Sequence, residues 1–226
     1  NPGLGLSSAT HLVVGESVGL PSRTRIEAQC FAKWLDGLAT PSVAATPALG
    51  QALVPSREGR VWGSQLFVRQ AEVRGLSGWL SATLSRSERR DADGAWRLSD
   101  YDSPLVLAAS AVQRWGGWRF GARARFATGA PRTPVVGAYF DLGADRYRPE
   151  LGRTNSSRLR DFFQLDLRVD REVELGAGTR LELYLDLLNV TFQKNQEELA
   201  YSSDFRQLAS VQGLPPLASF GVTVQR

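Results

Sequence analysis

The sequence predicts an all-β fold: an antiparallel, up-and-down, transmembrane β-barrel segment of about nine strands. Three observations carry that expectation. Apolar residues recur with a period of two over runs of roughly ten residues, which is the spacing of a strand and not of a helix. Tight turns and long connections alternate strictly along the chain. Aromatic residues gather near the ends of the apolar runs.

The strands follow in order. The first pair covers 10–20 and 25–35, joined around Pro21-Ser22, and the second covers 60–72 and 78–88, joined around Arg74-Gly75. The third pair, 103–114 and 118–128, flanks Gly116-Gly117, and glycines suit the positive φ angles of a two-residue hairpin turn. That turn puts Leu107 opposite Phe126, Ala109 opposite Ala124 and Ala111 opposite Ala122, with Arg119, Arg123 and Arg125 on the other face. The fourth pair, 163–173 and 179–190, alternates most cleanly and is joined by Gly176-Ala177-Gly178. Placing Leu175 opposite Thr179 pairs Leu167 with Leu187, Val169 with Leu185 and Val173 with Leu181, while Arg168 meets Asp186 and Glu174 meets Arg180. Glu172 then faces Glu182 and needs a nearby arginine or water. In this register Leu167, Val169, Leu183 and Leu185 face lipid, and Arg168, Tyr184 and Asp186 face the lumen. A last strand, 217–226, ends the chain.

Connections near 21–24, 73–77, 115–118 and 175–179 are tight, whereas those near 36–59, 89–102, 129–160 and 193–216 are long. Short turns at one end and long loops at the other are the pattern of an outer-membrane barrel. Trp34, Trp62, Phe163 and Phe192 fall at the long-loop ends, and Trp79, Trp115 and Trp118 at the tight-turn ends, as two interfacial girdles. Arg171 interrupts an apolar face near a tight turn, where its stem can snorkel to the interface.

Composition excludes several classes. The longest small-and-apolar stretch, 105–112, is far short of a spanning helix. One cysteine, Cys30, and one histidine, His11, leave no disulfide framework, no cysteine-based zinc site and no histidine pair, so neither metal nor cofactor is expected. The net charge is +4 and 25 of the 27 basic residues are arginine, but they are dispersed among acids, which argues against a nucleic-acid stripe. No phosphate loop and no catalytic constellation stands out, so an enzyme is not expected. Asp166, Asp170, Glu172, Glu182 and Asp186 interleave with Arg168 and Arg180, the pattern of a solvated, ion-paired wall.

A series of stretches resembles the C-terminal barrel of TonB-dependent outer-membrane receptors. Asn1-Pro2-Gly3-Leu4 followed by Ser7-Ser8 and His11 is similar to that family's loop-to-strand start, and EAQCFAKWLDGL at 27–38 to one of its strands. GRVWG at 59–63, GWLSATLSRS at 78–87, WRFGARARFATGAP at 118–131, NSSRLR at 155–160, DLRVD at 166–170 and LDLLN at 185–189 continue the series in the family's order. Arg160 stands where the family motif has proline, and Val222-Thr223-Val224-Gln225-Arg226 lacks the family's terminal aromatic. The resemblance implies that residues 1–226 are one partial domain, the last strands (14 to 22) of a 22-stranded barrel. It implies that the plug, the TonB-contacting box and the earlier strands lie outside this sequence.

What the resemblance implies for function is TonB-dependent uptake of a scarce nutrient such as a ferric siderophore, in the outer membrane of a Gram-negative bacterium. The implied partners are membrane lipid, the TonB system through the plug region, and a small-molecule substrate. The lumen-facing Arg119, Arg123 and Arg125 are candidates for contact with a plug or an anionic substrate, against a plainer reading as ion pairs with neighbouring strands. Tyr139, Asp141, Arg146, Tyr147 and Arg148 in the 129–160 connection are expected outside the membrane as candidates for substrate capture. Two rival readings are a barrel used for protein contact or adhesion through its long loops, and a soluble ligand-binding β-domain.

Overall fold

The computed structural model describes residues 6–41, 53–90, 94–176 and 178–225. In chain order the strands are β1 (Ser8–Leu20), β2 (Thr24–Pro41), β3 (Leu53–Val73), β4 (Leu76–Arg90), β5 (Trp96–Leu98), β6 (Leu105–Trp115), β7 (Trp118–Ala127), β8 (Pro131–Arg132), β9 (Val135–Asp141), β10 (Arg146–Leu151), β11 (Ser157–Arg158), β12 (Phe162–Gly176), β13 (Thr179–Leu188), β14 (Gln196–Tyr201), β15 (Leu208–Gln212) and β16 (Leu217–Gln225). Nine form one antiparallel wall in the order β1-β2-β3-β4-β6-β7-β12-β13-β16, and β5 adds to β4. These are the nine strands the sequence predicts. Asn1-Pro2-Gly3-Leu4, Ala177 and Arg226, which the sequence reading also used, lie outside the described residues.

The tight turns set the register. Val73 pairs with Leu76 across Arg74-Gly75, and Trp115 with Trp118 across Gly116-Gly117. Both central residues have positive φ in each (52° and 82°; 54° and 80°), the geometry whose twist matches the flanking strands. From the second turn, Leu107 meets Phe126, Ala109 meets Ala124 and Ala111 meets Ala122, as expected. In the last hairpin, Leu167 meets Leu187, Val169 meets Leu185, Val173 meets Leu181, Arg168 meets Asp186 and Glu174 meets Arg180. At the tip Thr179 pairs with Gly176 instead of Leu175, because a register shift after Glu174 absorbs one residue.

The register divides the wall into two faces. One carries Leu66, Leu80, Leu84, Leu107, Phe120, Leu167, Leu183, Leu185, Phe220 and Val222; the other carries serines, threonines, arginines and carboxylates. Among the described residues no hydrophobic side chain is buried, whereas Glu88, Ser99, Asp102, Asn155, Asp166, Asp170, Asn189 and Asn195 are. This distribution is the reverse of a water-soluble core. Arg171 behaves as its position suggests. Its Nη1 donates to Gly116 O at 2.7 Å and its guanidinium lies 5.0 Å from the Trp118 ring centroid. Glu16 on β1 is a further charged residue on the apolar side, opposite Ala28, and it is exposed.

Three expectations need correcting. Trp79 does not join the lower girdle. It pairs with Ser110 and Arg69 on the polar face and packs on Phe67 with ring centroids 6.2 Å apart, because it is one residue out of phase with Leu80. Phe192 lies beyond β13 at a positive φ of 55°, outside any girdle strand. The long connections also carry structure of their own. β2 and β3 stay paired out to Pro41 and Leu53, β5 folds back on β4, and β9–β10, β8–β11 and β14–β15 form small antiparallel pairs.

Candidate functional site

Three regions could recognise a ligand: the polar face of the wall, the rim where the long segments leave it, and the β9–β10 hairpin. On the polar face, β7 supplies Arg119, Arg123 and Arg125, and antiparallel pairing sets them opposite Asp170, Asp166 and Gln164 of β12. Arg119 Nη2 lies 3.1 Å from Asp170 and 2.5 Å from Glu182. Arg180 reaches Glu172 at 2.7 Å, so each carboxylate of the Glu172–Glu182 cross-strand pair has its own arginine. Arg168 lies 2.8 Å from Asp170 and 3.6 Å from Asp186, and stacks on the Tyr184 ring at 4.3 Å. That ring covers Gly221 of β16, where a Cβ would sit 2.4 Å from a ring carbon.

Ion pairing thins toward the rim. Arg123 is 3.9 Å from Asp166, whose Oδ1 already accepts from Gln164 Nε2 and the Asn189 N–H. Arg125 donates to Gln164 Oε1 at 3.0 Å and packs on Phe162, and among the described residues it meets no carboxylate. Of the three arginines singled out from the sequence, Arg119 is therefore an ion-pair member, and Arg125 retains charge to offer a ligand.

The rim is built by residues that hydrophobic alternation does not mark. Asp102, 1% exposed, accepts the Ser87 N–H at 2.6 Å and pairs with Arg158. Arg158 Nη1 also donates to Asp102 O and Gly129 O at 2.9 and 3.0 Å, which ties the start of β6 to the end of the 129–160 segment. Asn155, at a positive φ of 54°, donates to Leu98 O at 2.8 Å and Asp100 Oδ1 at 2.6 Å. Asn195 clamps the Phe163 backbone from both sides at 2.9 Å. Arg132 Nη1 donates to the Tyr201 hydroxyl at 3.2 Å and so links two of the long segments. The sequence did carry a partial signal here: Asn155 opens one of the motifs and Asn189 closes another, and asparagine tolerates the left-handed backbone both adopt.

The hairpin divides its five candidates. Arg146 pairs with Asp141 and Arg148 with Tyr139, so these four share one face, while Tyr147 lies on the other with Phe140, edge-on at 5.1 Å. Asp141 is occupied by the turn itself. It accepts the Gly143 and Ala144 N–H groups at 3.0 and 3.2 Å and pairs with Arg148. The Ala144 hydrogen bond, more than the Arg148 charge, holds its carboxyl below the usual aspartate value. Tyr139 and Arg146 remain exposed to meet a ligand.

Neither a protein-family model nor a curated protein sequence matches the chain. Solved structures do. The ferripyoverdine receptor of the outer membrane of Pseudomonas aeruginosa, bound to ferripyoverdine, superposes at TM-score 0.66 and 12% identity over 96% of this chain and 27% of that one. The ferric yersiniabactin uptake receptor FyuA of Yersinia pestis gives 0.63 and 12% over 96% and 29%. The FrpB iron transporter of Neisseria meningitidis gives 0.61 and 15% over 97% and 31%. The chain has the fold of a TonB-dependent receptor barrel. It spans less than a third of the length of these receptors. In the receptor barrel's terms, the polar face is a lumen wall and the apolar face its lipid-side surface. The tight turns and long segments mark its two ends, and Arg125 and the rim lie at the long-segment end.

Proposed function

We propose that the chain is the C-terminal part of the barrel of an outer-membrane receptor that takes up a scarce nutrient, such as a metal chelate, by TonB-dependent active transport. The observation that carries this is the inverted wall: exposed aliphatic side chains on one face and the buried, ion-paired Asp166 and Asp170 on the other, in the topology of known receptor barrels. The apolar face meets outer-membrane lipid. The polar face lines a lumen through which a substrate passes, with Arg123 and Arg125 toward the mouth and Tyr139 and Arg146 on the outer hairpin as its contacts. The TonB system engages through a plug region outside this chain. A soluble ligand-binding domain would need an apolar core, and among the described residues there is none.

The hairpin favours a second reading, contact with a protein through the outer segments, because Val136, Tyr139, Phe140 and Leu142 are all exposed on it. Uptake separates the two. In cells grown under iron limitation, disruption of the parent gene lowers accumulation of at least one member of a panel of labelled ferric chelates, and collapse of the proton gradient does the same in the intact strain. Unchanged accumulation, with loss of a surface-bound protein partner, favours the contact reading.

A further inference from the structure

The apolar face carries one organised cluster of charge that transport does not use. At the rim ends of β3 and β4, Arg60 pairs with Glu88 and Trp62 with Arg86, while Trp34 of β2 is opposite Arg60. These residues share the face of Leu66, Leu80 and Leu84. The Glu88 side chain, 7% exposed, accepts from Arg60 Nε at 2.8 Å and Nη2 at 2.6 Å, and from Arg86 Nε at 2.7 Å. The Arg60 guanidinium lies between two indoles, 4.1 Å from the Trp96 centroid and 5.3 Å from that of Trp62. One buried carboxylate therefore fixes two guanidiniums side by side, leaving a net positive charge. The Arg86 side chain stays 57% exposed.

The position matters as much as the charge. Arg86 lies one cross-strand step beyond the Leu84–Ser64 pair, level with Trp62, where an aromatic belt meets headgroups. At the corresponding ends of β7 and β12 the same face offers Phe126 and Phe163. Guanidinium forks suit phosphate oxygens, and a guanidinium already oriented by a carboxylate loses less freedom on binding one. We propose that Arg86 and Arg60, oriented by Glu88 and flanked by Trp62 and Trp96, bind the phosphate of an anionic lipid headgroup in the leaflet on the long-segment side. This rests on the reading that the apolar face meets lipid.

The test uses the full receptor carrying this chain, purified in detergent and observed by native mass spectrometry. The probes are diphosphoryl lipid A, the same lipid with its phosphates removed, and inorganic phosphate. The expected result is a retained adduct with the phosphorylated lipid. Binding becomes about tenfold weaker in the Arg60→Gln/Arg86→Gln double variant and is unchanged in Arg171→Gln, at the opposite end of the wall. Equal binding of the dephosphorylated lipid, or of the double variant, overturns the proposal, as does displacement of the adduct by millimolar inorganic phosphate. Heat-modifiable mobility, read on every sample, separates two failures. A folded barrel without the adduct refutes the lipid site alone, whereas a protein with no heat-modifiable form refutes the barrel reading and the site with it.

Discussion

At the scale of single residues, adjacent positions on one strand face opposite environments. Leu185 is 43% exposed between Val169 and Phe220, whereas Tyr184 next to it lies under Arg168 on the polar side. Leu185→Arg in the full receptor is expected to cost about 2–4 kcal/mol in unfolding from a bilayer, while Tyr184→Ser costs less, both read by denaturant titration in lipid vesicles. Asp141, off the wall in the β9–β10 hairpin, gives a pH prediction. Its folded pKa lies below the ordinary 3.8, so its stabilisation of the hairpin tip is fully present above that value and is lost as pH falls through the depressed pKa. A spin label at position 142 should be immobile at neutral pH and become mobile only below the ordinary carboxylate range, and Asp141→Ala, which removes the acceptor of the Gly143 and Ala144 N–H groups, should be mobile throughout. A mobility step at higher pH would assign the tip's order to another group.

At the scale of elements, the strands of the wall were legible because its apolar and polar faces impose alternation on every one of them. Leu181, Leu183, Leu185 and Leu187 announce both the strand and its face, and the glycine turns then fix its register. Trp79 shows the limit of that logic: position near a strand end suggested a girdle, but parity decides the face. The outer segments were harder to read because no solvent boundary imposes a period there. Their order comes from single polar side chains, such as Asp102, Asn155 and Asn195, whose partners lie far away in sequence. The hairpin candidates were partly legible: exposure was expected of all five and is seen at Tyr139, Arg146, Tyr147 and Arg148, but Asp141 is half-buried and taken up by its own turn. Deleting 139–150 in the full receptor should weaken ligand binding on intact cells while surface display stays normal. Unchanged affinity would remove the hairpin from recognition and leave the Arg125 mouth as the candidate.

At the scale of the whole molecule, the wall is open. β1 and β16 are its outer members, and each has a neighbour on one side only. In hydrocarbon, a row of unpaired N–H and C=O groups is severely unfavourable. Residues 1–226 alone are therefore expected to give no heat-resistant, monomeric β-rich band in detergent; such a band would mean that these strands close on themselves. The direction of the two margins sets a stricter condition. Both β1 and β16 run from the long-segment end toward the tight-turn end. Antiparallel pairing needs opposed directions at both seams, so β16 cannot close onto β1 as an antiparallel pair, and a second copy in the same orientation meets the same conflict. A complement with an even number of meandering strands always leaves one seam parallel. Only an odd complement, beginning and ending on strands that run the other way, seals both margins with antiparallel pairs, so the arithmetic of direction limits what can complete this wall before any side chain is consulted.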